Sequence, residues 1–180
     1  MMRERRPGAG TSGGRVVLIV AATITLATLG AAEGADNRLP DSGRIDDAPW
    51  ATHLRILDEA LAARDVRAAE RAWREAYVAA AGSWRWDGML AVGDAALRVG
   101  QVAVTRHAAQ ARARNVYLAA LFRARQQDSV DGVLRAAEAF AALGDRDVVE
   151  QCLRLAGAMA SQARDSHASA RVHALTARLA

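Results

Sequence analysis

The sequence predicts an all-α fold: a short α-solenoid of about three helical hairpins with a C-terminal capping helix, preceded by an N-terminal signal or anchor segment. Three observations predict it. From Asp47 onward the apolar residues recur at the spacing of one helix face. The three prolines, Pro7, Pro40 and Pro49, all precede this region, so nothing after Pro49 interrupts a helix by removing an N–H. The chain is 52% hydrophobic but only 4% aromatic, and much of the apolar content is Ala, a strong helix former of small volume.

The elements follow in order. Helix one carries Trp50, Leu54, Leu57 and Leu61, with Asp47 and Pro49 marking its start. Helix two carries Val66, Ala69, Trp73, Ala76 and Ala80, and Gly82-Ser83 reads as a stop and a new cap. Helix three carries Trp86, Leu90, Gly93 and Leu97 and is expected to end at Gly100. Helix four is expected over about residues 102–126 and is unusually long. Asp128 and Ser129 cap helix five, with Val130, Val133, Ala137 and Ala141. Gly144-Asp145 ends it and starts helix six, with Val148, Cys152, Leu155 and Met159. Helix seven carries Ala168, Val172, Leu175 and Leu179.

A repeat lies inside this pattern. Leu54, Leu90 and Leu134 are each followed four residues later by an acid, Asp58, Asp94 and Glu138. A tight turn follows: Arg64-Asp65, Gly100-Gln101 and Gly144-Asp145. Fixed-period recurrence of this kind marks stacked helical hairpins. Over Trp50–Ala160 the sequence resembles the tetratricopeptide-repeat family. Gly93 matches the family's first-helix glycine, and Gly100 and Gly144-Asp145 match its turn. Ala69 and Ala76 match the small residues of the second helix, with bulky Trp73 between them. The chain departs from the family in lacking a proline at the hairpin ends and in placing Arg112 where a small residue is usual. The resemblance implies a right-handed superhelix, a protein-binding role and a polar cap formed by helix seven.

The N-terminus reads as an address. Residues 1–15 are basic and Gly-rich, and the 17 residues Val16–Ala32 carry no charge. A positive segment before an apolar one is the pattern of an export signal, and its length sits at the lower edge of a membrane helix. The expected organisation is a signal peptide or membrane anchor over 1–35, a flexible linker over 36–46 and a helical domain over 47–180. The clustered arginines are expected to stay cytoplasmic, which places the rest outside, in a periplasmic, extracellular or membrane-anchored setting. The match of Gly8–Gly13 to a dinucleotide-binding glycine pattern has no strand before it and carries no weight.

Composition and motifs narrow the function. All 24 basic residues are Arg, the mark of a GC-rich bacterial genome. From Asp36 on, 20 arginines face 18 acids, a near balance that argues against nucleic acid as a partner. Cys152 is the single cysteine, so no intrachain disulfide forms. His53, His107, His167 and His173 have no metal-ligand spacing, and no nucleophile elbow is present. No catalytic residue, metal or cofactor is therefore expected, and the chain reads as a protein-interaction module and not an enzyme.

Two surfaces are candidates for recognition. The first is a groove implied by the family resemblance, lined by the first helices of the hairpins. It would align Leu54, Leu90 and Leu134 beside Asp58, Asp94 and Glu138, with Asp87 and Asp131 one turn earlier. Such a groove suits a basic protein or peptide segment. The second is helix four, where no acid occurs between Asp94 and Asp128. Its Arg112, Arg114, Arg123 and Arg125 suit an anionic partner or the envelope surface.

Overall fold

The computed structural model describes residues 48–179. The export segment expected over 1–35 and most of the linker lie outside the described residues. Seven helices follow one another: α1 Ala51–Ala62, α2 Val66–Gly82, α3 Trp86–Val102, α4 Arg106–Gln126, α5 Val130–Leu143, α6 Arg146–Ala163 and α7 Ser166–Leu179. No strand occurs among the described residues, so the fold is all-α. None of these helices is long and apolar enough to cross a membrane.

Every helix packs against its neighbours in sequence. The odd helices also touch in series, α1 on α3, α3 on α5 and α5 on α7, whereas α2, α4 and α6 do not touch one another. The main core forms between these two rows, around Trp50, Met89, Tyr117, Val133 and Phe140. A second cluster joins Leu57 and Ala60 of α1 to Ala69 and Ala72 of α2 and to Ala95 and Val99 of α3. Small residues set these close approaches. A Cβ on Gly93 would lie 2.2 Å from Tyr117 Cε1, and one on Gly100 would lie 2.1 Å from Ala109 Cβ.

Each link between helices holds one residue in the left-handed region: Arg64, Trp84, Val104, Asp128, Gly144 and Arg164. Most links close with an amide reaching back five residues, as in Asp65 N–H to Ala60 O (2.9 Å), Thr105 N–H to Gly100 O (3.0 Å) and Ser129 N–H to Ala124 O (2.9 Å). These bonds satisfy the last carbonyls of each helix. They offset the roughly 1–2 kcal/mol by which a side chain disfavours this conformation. Asp65, Ser129 and Asp165 then cap the following helices, accepting from the amides of Ala68, Gly132 and Ala168.

The links correct the expected register. Gly100 does not end α3, which continues to Val102, and the turn falls at Val104. Gly100 is small because Ala109 approaches it. Arg64, Val104 and Gly144 stand at a common spacing of 40 residues, the separation that also joins three ion pairs between odd helices. At this spacing Ala69, Ala109 and Val149 are all buried, as are Ala76, Val116 and Ala156, and Ala80, Ala120 and Ala160. α4 has 21 residues against 17 in α2, while α5 has 14 against 17 in α3. About one turn has passed from the start of α5 to the end of α4, so the period survives.

Candidate interaction surfaces

The row of odd helices carries a ladder of opposite charges. Arg98 of α3 donates to Asp58 of α1 at 3.0 Å. Arg171 and Arg178 of α7 pair with Asp131 and Glu138 of α5. Asp58, Arg98, Glu138 and Arg178 thus occupy one register position and alternate in sign. Asp94 lies one turn earlier, where it accepts a hydrogen bond from the Tyr117 hydroxyl at 2.6 Å. Asp87 pairs with Arg85 at the start of α3. The structure therefore does not set Asp58, Asp94 and Glu138 in one acidic stripe: Arg98 stands at the middle position. Of the three leucines, Leu54 is half-buried, whereas Leu90 and Leu134 belong to the core.

Burial of Tyr117, helped by its bond to Asp94, raises the phenol's pKa, so the hydroxyl stays a donor. Its ring meets Phe140 edge-on at 5.8 Å between centroids. The link from Asp94 through Tyr117 to Phe140 ties the odd row to the α4 core.

The α4 arginines point away from a common basic surface. The Arg112 guanidinium lies 4.7 Å from the centre of the Trp73 ring. Arg114 donates twice to Asp145, at 2.6 and 2.9 Å, so Asp145 clamps α4 and does not bond an amide at the start of α6. Arg123 donates to Ala80 O and Ala81 O, both at 2.9 Å, and stacks over Trp84. Arg125 is exposed and makes no ion pair among the described residues. Replacing Arg123 with Met should leave two carbonyls near the end of α2 without their donor and lower stability by about 1–2 kcal/mol. Urea unfolding followed by circular dichroism checks this, and an unchanged midpoint would contradict it.

With its arginines drawn sideways, α4 exposes Leu118 (49%) and Phe122 (59%). Leu118, Leu121 and Phe122 face Cys152 and Leu155 of α6 across an open groove with Arg125 and Gln151 at its rim. Sequence reasoning missed this surface. Its signal was present, since Leu118 and Phe122 fall off the buried face of Ala109, Ala113, Val116, Tyr117, Ala120 and Ala124. Trp73 and Trp86 pack partly into the core, while Trp84 is 65% exposed. Burial pushes the Cys152 thiol up to about 11, which keeps it neutral near pH 7. Among the described residues no cluster of His, Cys, Asp or Glu is arranged to hold a metal ion.

No protein-family model, no curated protein and no solved structure matches the chain.

Proposed function

We propose that this protein is an exported or membrane-tethered interaction module. In this reading its helices form an α-solenoid similar to the tetratricopeptide-repeat type, with about three hairpins and α7 as the cap. Its 40-residue spacing is longer than the 34 residues usual for that type. The observation that carries the reading is the unequal contact of the two rows: odd helices meet in series while even ones do not. Stacked hairpins whose first helices touch form one continuous surface, the geometry by which repeat arrays bind extended or helical segments. α1 carries Thr52, Arg55 and Glu59 at the positions that hold Val92, Ala95 and Val99 in α3. Arg55 pairs with Glu59 there, a polar outer face of the kind that closes an array.

The recognised partner is a protein or peptide segment carrying Lys or Arg with apolar anchors. It would meet Leu54, Asp58, Glu138 and their paired arginines. Exposed ion pairs contribute only about 0–1 kcal/mol to folding, so an incoming cation can displace Arg98 from Asp58 at small cost. Swapping that pair, Asp58→Arg with Arg98→Asp, is expected to keep helical circular dichroism and to remove partner capture from the envelope fraction. Equal capture by the wild-type and swapped chains would remove the odd row from recognition.

A further inference from the structure

We propose that the protein self-associates through α4, packed antiparallel against α4 of a second copy. The inference is independent of the odd-row reading, because it concerns the opposite row. α4 has two apolar faces. One is buried in the core; the other, Ala111, Asn115, Leu118, Phe122 and Arg125, is exposed along its whole length. The steps between these five residues alternate four and three, the spacing that keeps a seam facing a second helix.

The charges select the occupant. α4 carries no acid. Arg112, Arg114 and Arg123 are each engaged by Trp73, Asp145 and the end of α2, which leaves Arg125 as the cation on the seam. In an antiparallel pair, Leu118 lies against Phe122 of the partner subunit. Asn115 then lies against the partner's Arg125, whose guanidinium donates to the amide oxygen. Both contacts occur twice, as a two-fold axis requires. A parallel pair would oppose Arg125 to the partner's Arg125, with no acid on α4 to offset them.

The seam from Ala111 to Arg125 is about 21 Å long. A helix laid along it also reaches the groove wall at Gln151 and Leu155. The first groove of this row, between α2 and α4, is bridged by Arg112 on Trp73 and Arg123 on Trp84. The second has a clamp at one end only, Arg114 on Asp145, and lies open beyond it. A single helix seam is smaller than the roughly 800 Å² per partner of a tight complex, so a dissociation constant of tens of micromolar is expected.

The test uses the full chain in mild detergent, by sedimentation velocity from about 1 to about 100 μM. A monomer–dimer equilibrium is expected. Phe122→Glu should weaken it at least about tenfold, by placing charge in the apolar contact, with circular dichroism unchanged. Asn115→Asp should tighten it, because an acid then meets the partner's Arg125. In a Cys152→Ala background, chains carrying Leu118→Cys should cross-link to differently tagged chains carrying Phe122→Cys more than to themselves. A monomer across the whole range overturns the proposal. So does association that Phe122→Glu leaves unchanged, since another segment, such as Val16–Ala32, then carries it. Preferential cross-linking of Leu118→Cys to itself overturns the antiparallel arrangement.

Discussion

Gly93→Leu is expected to unfold the helical domain or leave it at a small fraction of its stability. The added Cβ alone would meet the Tyr117 ring at 2.2 and 2.6 Å, well inside any real contact. The ring has nowhere to move. Its hydroxyl is held by Asp94, its edge sits on Phe140, and it is one of the largest fully buried side chains. Overpacking of this kind costs typically 1–3 kcal/mol and more when backbone must separate, against a total stability of about 5–15 kcal/mol. Gly93→Ala should show the smaller end of that range. Gly82→Ala is the control, because a Cβ there meets nothing within 4 Å. It should stabilise α2 by up to about 1 kcal/mol, since Ala restricts the unfolded chain more than Gly does. Urea titrations of the three variants measure the ordering. A Gly93→Leu midpoint equal to wild type would mean that α3 and α4 do not approach at this residue.

The helices were legible because burial imposes one face per helix, and Ala-rich faces show that period clearly. Their register was less so. A glycine in a helical run has two physical uses, to end the helix or to let another helix come close, and spacing does not distinguish them. Gly144 has φ of 80° and does the first; Gly100 does the second. The turn that Gly100 was expected to make is made by Val104, a β-branched residue that propensity disfavours in the left-handed region. Shifting that turn moves Asp94 away from the position of Asp58 and Glu138 and brings Arg98 into it. Charges were equally hard to place, since a sequence shows an acid or an arginine but not its partner. Asp58 finds Arg98 40 residues away, and Arg114 finds Asp145 31 residues away. The same blindness hid the α4 seam. Its arginine content reads as a basic surface until Trp73, Asp145 and the carbonyls of α2 are seen to engage three of them.

Placing arginine at both Leu18 and Val20 is expected to abolish export. The proposal that the chain leaves the cytoplasm rests on Val16–Ala32, 17 residues without charge behind Arg3, Arg5, Arg6 and Arg15. Insertion of such a segment is driven by apolar side chains, each contributing a few tenths of a kcal/mol, whereas an arginine near its centre costs roughly 2.5–3.5 kcal/mol. Two arginines therefore outweigh most of what the segment gains, in a run already at the short limit for spanning a bilayer. A reporter active only outside the cytoplasm, fused after Ala35, reads the result. It should be active in the wild-type fusion and inactive in the double variant. Conservative changes, Leu18→Ile with Val20→Ile, should leave activity intact, which separates loss of hydrophobicity from loss of a particular side chain. Replacing Arg3, Arg5 and Arg6 with Glu should reduce activity as well, because the positive flank holds the N-terminus inside. Full activity in the double-arginine variant would show that Val16–Ala32 does not direct export, and the interaction module would then have to be sought in the cytoplasm.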